Sequence, residues 1–339
     1  MGFEMNDVEV SVICLTYNHE KYIKQCLEGF LMQKTSFKFN VLVHDDASTD
    51  KTTDIVKEYV QKYPKMFIAL YEKENQYSQD NGKKFSRQMI EMAQGNYIAI
   101  CEGDDFWIDE YKLQKQYDVM ENNPSVSIVV GKTICCNEDG SPSEKVFPQQ
   151  IYGFNQSRIV KKEEIAKIVF GGYPFHTSSY FTKKTLRVRL LDRPFYDYMN
   201  GDERILREAL AEGDFYYIND VLSCYRLSSI GGWSQRLSTR SPQKKAIHHL
   251  RNYYGHIEFD KITSSSYNLQ IYDFIIKGIG DYGYADKKMF NEIRQYFKIK
   301  SIDVFKKSGA KRYCKYLLTI ISPKFVQLIS SLRGRIRKS

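Results

Sequence analysis

The chain has 339 residues, 42% of them apolar and 27% charged, a balance that excludes a disordered chain and supports one large domain or two modest ones. The formal charge is +9, yet from Lys298 onward twelve Lys or Arg face a single acid, Asp303, a local +11 that leaves −2 for everything before it. The basicity belongs to a tail rather than to the body, which excludes a nucleic-acid groove across the whole protein. Seven cysteines form no CxxC pair and leave one over under any full pairing, which reads as a reducing compartment. The N-terminus has no basic segment followed by an apolar one, and no run approaches the roughly 18 apolar residues of a membrane span. A soluble or peripheral, cytoplasmic protein is expected.

In chain order, strand-sized apolar runs occur at Val8 to Leu15, Phe39 to His44, Phe67 to Tyr71, Tyr97 to Cys101 and Val126 to Val130. Between them lie helix-like stretches, Glu20 to Gln33, Lys51 to Lys62, Lys84 to Ala93 and Lys112 to Glu121. In the first, Tyr22, Ile23, Cys26, Leu27 and Phe30 recur at helical spacing, and Thr49-Asp50 supplies a cap for the second. Asp109 reads as the cap of the helix that begins near Tyr111. Regular alternation with nearly continuous apolar strands predicts a mostly parallel sheet covered on both faces. Ligands of such sheets bind beyond the carboxyl ends of the strands.

That rule directs attention to three loops: Thr16-Tyr17-Asn18-His19-Glu20, Asp45-Asp46-Ala47-Ser48-Thr49-Asp50, and Glu102-Gly103-Asp104-Asp105. The last gathers three carboxylates at the end of an apolar strand. Charges withdrawn from water call for a hard cation or a strong hydrogen-bond network. Neither GxGxxG nor GxxxxGK[ST] occurs, so phosphates would have to be held through a metal. His19, His44, His248, His249 and His256 lack metal-ligand spacing and read as surface or core residues.

The combination Val12-Ile13-Cys14-Leu15-Thr16-Tyr17-Asn18, Val43-His44-Asp45-Asp46-Ala47-Ser48-Thr49-Asp50, and Gly95-Asn96-Tyr97-Ile98-Ala99 leading into Glu102-Gly103-Asp104-Asp105 resembles a family 2 glycosyltransferase of the GT-A fold. The resemblance covers about residues 8 to 235. It implies a twisted, mostly parallel α/β sheet flanked by helices, and a metal-dependent, inverting transfer of a sugar from a nucleoside diphosphate donor. Under it, Thr16, Tyr17, Asn18, Glu20, Asp46, Ser48 and Asp104 contact the nucleotide, and Glu102, Asp104 and Asp105 hold Mn2+ or Mg2+. Glu102 stands where the family usually has Asp. An ionised Asp46 only accepts hydrogen bonds, which suits the N3–H of uracil or thymine, and a UDP-sugar is the expected donor.

Met199-Asn200-Gly201-Asp202-Glu203-Arg204 resembles the family's acidic motif at the start of a helix, which makes Asp202 the candidate base and Glu203 the alternative. Tyr225-Arg226-Leu227-Ser228-Ser229-Ile230-Gly231-Gly232-Trp233 resembles a loop that closes over the donor phosphates, with Ser228 where a His is usual. Arg226, Trp233 and His176 are the implied diphosphate or acceptor contacts. The implied organisation is a catalytic domain over residues 1–238, with its nucleotide half at about 8–134 and its acceptor half at about 135–238, then a helical extension over 239–339. After Ser322-Pro323, Phe325, Val326, Leu328, Ile329, Leu332 and Ile336 share one helical face that ends in Arg333, Arg335, Arg337 and Lys338. That pattern suits either an anionic membrane surface or docking on the protein's own domain. The family resemblance implies that the acceptor is a hydroxyl of a glycan or lipid-linked glycan in surface polysaccharide assembly. A sugar-1-phosphate nucleotidyltransferase is disfavoured because its Gly-rich basic loop is missing, and a non-catalytic nucleotide-sugar-binding protein is the alternative of a different class.

Overall fold

The computed structural model describes residues 8–77, 82–170, 172–227, 239–322 and 326. The chain forms two compact units, Met1–Asp192 with Ile205–Gln235, and Arg193–Arg204 with Arg236–Ser339. The short segment that carries Asp202 and Glu203 therefore groups with the C-terminal helices.

In the first unit the order is β1 (Val8–Thr16), α1 (Ile23–Leu31), β2 (Lys38–Asp45), α2 (Thr52–Lys62), β3 (Phe67–Tyr71), α3 (Lys83–Met92), β4 (Tyr97–Glu102) and β5 (Phe106–Trp107). It continues through α4 (Lys112–Asn122), β6 (Val126–Cys136), β7 (Pro142–Phe147), β8 (Arg158–Val160), α5 (Lys162–Val169), β9 (Phe181–Lys183) and α6 (Lys184–Leu191). Helix α7 (Gly201–Glu212) then leads to β10 (Asp214–Arg226). The sheet runs β3-β2-β1-β4-β9-β6-β10-β5, with β7 beside β6 and β8 beside β10. The β1–β2, β2–β3, β1–β4 and β6–β10 pairs are parallel, and β9 is antiparallel to both β4 and β6. Strands β1, β2, β3, β4, β6 and β10 consequently end on one edge, where the three polar loops of the sequence emerge.

The core explains why the strands read as unbroken apolar runs. Val10, Val12 and Cys14 of β1 and Val41 and Val43 of β2 are buried with Ile23, Cys26, Leu27 and Phe30 of α1. Each such aliphatic or aromatic side chain contributes roughly 1.5–3 kcal/mol relative to exposure. Gly95 is required just before β4, since a Cβ there would stand 2.6 Å from the backbone nitrogen of Ser11.

Two expectations shift. Helix α1 begins at Ile23 rather than Glu20 because His19 O accepts from the amides of Tyr22 and Ile23 in a turn, and Glu20 is engaged elsewhere. Strand β6 continues to Cys136, beyond the apolar run to Val130, because its second half pairs with both β10 and β7. At α2 the cap residue Lys51 offers no side-chain bond, but Asp50 Oδ1 accepts from Thr52 N at 2.9 Å. Asp109 acts as expected, its Oδ1 accepting from Tyr111 N at 2.8 Å.

The second unit holds α8 (Pro242–Ile262), α9 (Asn268–Tyr282), α10 (Lys287–Tyr296) and α11 (Ser301–Ile321), the last interrupted at Gly309 with φ 78°. Ser241 caps α8 through Lys244 N, and Pro242 follows at the first helical position. Ile271, Ile275 and Ile279 form the buried stripe of α9. Buried Asp260 accepts from Asn268 Nδ2 and Tyr296 OH, both at 3.0 Å, and so ties α8, α9 and α10 together. Among the described residues no helix is long and apolar enough to cross a membrane. Apart from Ser322 and Val326, the amphipathic segment expected at the C-terminus lies outside the described residues.

Lys112, at the start of α4, is fully buried with its ammonium 3.9 Å from the Trp107 ring centroid and bonded to Gln116 Oε1 at 2.7 Å. Burial lowers its pKa to about 7. Above that value the unfolded chain binds more protons at this site than the folded one, so the contribution to stability rises with pH until the ordinary lysine range. The slope predicts a gain of about 2 kcal/mol between pH 7 and pH 9 that Lys112→Met lacks, read by chemical denaturation. Equal slopes in the two proteins would contradict it.

Candidate active site

At the carboxyl edge, the first two loops hold each other. Asn18 N donates to Ser48 Oγ at 2.9 Å, His19 N to Thr52 Oγ1 at 2.8 Å and Glu20 N to Asp50 Oδ2 at 3.0 Å. In return Thr49 N donates to Asn18 Oδ1 at 2.7 Å and Lys51 N to Glu20 Oε2 at 3.0 Å. The stitching fixes both loops at the chain reversals, where Asn18 and Ala47 take positive φ of 56° and 62°. Asn tolerates that region because its side chain bonds locally, whereas at Ala47 it is strain held by the surrounding bonds. Asn18, Glu20 and Ser48, expected at the nucleotide, thus use polar atoms to build the cradle itself. Buried Thr16 ends β1, and half-buried Tyr17 follows it.

Asp45 and Asp46 end the second strand. Asp45 accepts from Ser48 N at 3.1 Å and from the Thr53 hydroxyl, so it shapes the turn. Buried Asp46 accepts from Gln76 N at 2.6 Å through Oδ1 and from Tyr77 N at 3.2 Å through Oδ2. Two backbone amides orient this carboxylate, and each oxygen retains a lone pair for another donor.

The acid loop is the third part. Glu102 closes β4 in register with Leu15, Gly103 N donates to Leu15 O at 2.8 Å, and Asp105 N donates to Glu102 O at 3.0 Å. Beyond it, Phe106 and Trp107 pair with Cys224 and Ser223 of β10, and Trp107 Nε1 donates to Ser178 O at 3.0 Å. The loop is therefore held at both ends, and Asp104 and Asp105 are 5% and 1% exposed. Burial, reinforced by the charges of Asp104 and Glu102, pushes the Asp105 carboxyl well above the usual range.

Two histidines flank the acids. His19 Nε2 lies 3.8 Å from Asp104 Oδ2, and its Nδ1 is 3.2 Å from Thr16 Oγ1. His176 Nδ1 lies 3.6 Å from Asp105 Oδ2 and 2.8 Å from Ser178 Oγ, with its ring stacked on Tyr225 at 4.1 Å. Burial lowers the His176 pKa to about 4, so near neutral pH it is an uncharged neighbour of Asp105, not its counter-ion.

A divalent cation fits this chemistry in part. Asp105 Oδ2 is buried without a hydrogen-bond partner, and the acid loop supplies hard oxygen donors crowded by like charge. Yet among the described residues no three His, Cys, Asp or Glu side chains converge as a closed metal site. An ion bound through one or two carboxylates and completed by phosphate oxygens needs no such cluster.

Arg226, expected at the diphosphate, is 3% exposed and turned into the protein, donating to Asp104 O at 3.0 Å and Glu138 O at 2.8 Å. In the second unit, Asp202 and Glu203 open α7. The Glu203 carboxylate is 5% exposed, accepts from Asn252 Nδ2 and lies 3.4 Å from His256 Nε2. Asp202 accepts from the adjacent amide of Glu203 at 2.8 Å, and burial, then the Glu203 charge, push its carboxyl up to about 6. Trp233 and Ser228 lie outside the described residues.

Sequence reasoning missed His19 as a neighbour of the acids, the Gln76 and Tyr77 amides on Asp46, and the inward turn of Arg226. His19 stood inside a motif already singled out, three residues after Thr16, which was a usable signal. The others depend on contacts between distant parts of the chain.

Residues 11–181 match the family described as Glycosyl transferase family 2, and the chain belongs to that family. An uncharacterized Mycobacterium tuberculosis protein, Rv1520, is 35% identical over 139 residues, 41% of this chain and only 39% of that protein. The putative teichuronic acid biosynthesis glycosyltransferase TuaG of Bacillus subtilis is 32% identical over 137 residues, 40% of this chain and 51% of TuaG. Among solved structures, S. aureus TarS 1-349 in complex with UDP-GlcNAc superposes with a TM-score of 0.57 at 17% identity, covering 92% of this chain and 90% of that one. This likeness establishes the GT-A fold: a mostly parallel sheet flanked by helices, with further helices after it.

Gly103 links the loops most tightly, since a Cβ there would stand 2.7 Å from Thr16 Oγ1 and 3.0 Å from His19 Nδ1. Gly103→Ala is expected to cost about 1–3 kcal/mol in chemical denaturation. Unchanged stability would show that Thr16 and His19 are not held against the acid loop.

Proposed function

We propose that the protein transfers a sugar, with inversion, from a UDP-sugar to a hydroxyl of a glycan or lipid-linked glycan, with Mn2+ or Mg2+ at the acid loop. The observation that carries the reading is the buried Asp104–Asp105 pair, with an unbonded Asp105 oxygen, at the ligand edge of a family 2 sheet. Asp104 and Asp105 would hold the ion, with Glu102 contributing directly or through water. Bound there, the cation acts as a Lewis acid on the leaving diphosphate.

The chain's own residues do the rest. Asp46, aimed by the Gln76 and Tyr77 amides, accepts the N3–H of uracil, and Thr16 and Tyr17 contact the base and ribose. The stitched cradle of Asn18, Glu20 and Ser48 keeps these groups in place without reorganisation at the moment of reaction. Asp202 takes the proton of the attacking hydroxyl, and a carboxyl pushed up to about 6 holds a proton better than an ordinary aspartate while remaining ionised near neutrality. Glu203, engaged with Asn252 and His256, orients the helix start instead. UDP-GlcNAc in TarS supports the uridine donor, and the name of TuaG supports a setting in surface polysaccharide synthesis. The basic sequence after Lys298 suits an anionic surface that carries a lipid-linked acceptor, which supports a position on the cytoplasmic face of a membrane.

Asp202→Asn should lower transfer by about a thousandfold and leave UDP binding intact, because it removes the base and keeps the shape. In the wild type the rate should climb as pH rises through about 6, where Asp202 loses its proton, and then level off. Wild-type turnover in the Asn variant would overturn the assignment, and loss on Glu203→Gln alone would transfer it to Glu203.

A further inference from the structure

Arg226 is the last residue of β10, in register with Cys136 of β6. Its backbone N donates to Asp105 Oδ1 at 3.0 Å, and its Nε donates to Asp104 O at 3.0 Å. Nη1 donates to Glu138 O at 2.8 Å and reaches Asn137 O at 3.4 Å, while Nη2 donates to Gln25 Oε1 at 2.8 Å. The Tyr22 and Phe106 rings lie 4.8 Å and 5.5 Å from the guanidinium carbon. One side chain thus joins four parts of the first unit: the start of α1, the acid loop, the turn after β6 and the end of β10.

Three features separate this arrangement from a phosphate contact. The guanidinium is buried, and its Nε, Nη1 and Nη2 each donate to a protein acceptor, which orients the fork toward the protein. The Nε bond falls on the carbonyl between Asp104 and Asp105, the peptide whose orientation sets both carboxylates. A planar fork can reach three chain segments in fixed directions, which the point charge of a lysine cannot do.

We infer that Arg226 is a positioning residue that locks the Asp104–Asp105 peptide in the orientation that receives a divalent cation, and that it does not touch the donor diphosphate. The inference rests on the metal-dependent transferase reading. The groups on the ion would be Asp104 and Asp105, while Arg226 acts only through them, as partners behind metal ligands do elsewhere.

The test is Mn2+ binding by the full chain, followed by the electron paramagnetic resonance signal of free Mn2+ at saturating UDP, for wild type, Arg226→Lys and Arg226→Gln. Both variants should lose Mn2+ affinity by about tenfold or more. UDP affinity measured in chelator should stay within about twofold of wild type, since the Thr16 and Asp46 cradle is untouched. A fall in chelator-phase UDP affinity with normal Mn2+ affinity would mean that Arg226 binds the diphosphate, and would overturn the inference. Melting followed by circular dichroism identifies any variant that does not fold. Gln25→Leu then stands in, removing one acceptor of the fork, and should weaken Mn2+ binding in the same direction; wild-type affinity there would overturn the inference. Wild-type protein that binds neither Mn2+ nor UDP would remove the transferase reading and this inference with it, whereas normal wild-type binding with unaltered Arg226 variants would remove this inference alone.

Discussion

Two adjacent carboxylates, Asp104 and Asp105, are buried at the end of a strand, and much of the first unit serves to hold them there. Mutual repulsion and lost hydration would expel an unsupported pair into solvent. The loop is fixed by β4 on one side and by the Phe106–Trp107 pairing with β10 on the other, with His19, His176 and Arg226 around it. Strain of this kind persists where the surrounding structure over-determines it, and it is stored where a ligand of opposite charge relieves it. Trp107, tied to Ser178 and packed edge-on against Phe30 at 4.7 Å, connects the loop to the hydrophobic core.

The cradle of the first two loops follows the same logic. Asn18, Glu20 and Ser48 spend their hydrogen bonds on one another's loops, and the outcome is two loops fixed against each other. Asp46 is oriented by backbone amides from the chain beyond β3. The site is built on strand ends and cross-loop bonds, an arrangement that places donors and acceptors before a ligand arrives.

Much of the fold was legible because strand and helix leave different periods in a sequence. The runs Val8 to Leu15 and Phe67 to Tyr71 appear as strands with nearly those bounds; the first is apolar because most of it is buried, whereas the second, at the sheet edge, is fully buried only at Phe67. The second half of β6 was not legible, because Gly131-Lys132-Thr133 breaks the apolar run while the backbone keeps pairing with β10 and β7. Within the site, the acid loop and both strand-end loops announced themselves by composition. Arg226 did not: its role comes from acceptors at Asp104, Asn137, Glu138 and Gln25, separated from it by many tens of residues, and only folding brings them together. The same holds for the neighbours of Glu203, Asn252 and His256, which its adjacency to Asp202 does not announce.

The central claim is that the buried acid pair holds the diphosphate of a uridine nucleotide through a divalent cation. Isothermal titration of UDP into the wild-type chain, in Mn2+ and again in chelator, with Asp104→Ala alongside, tests it most directly. The account predicts tight binding in Mn2+, much weaker binding in chelator, and loss of the difference in Asp104→Ala. Equal binding in Mn2+ and chelator, or an Asp104→Ala protein that keeps its response to Mn2+, would contradict it.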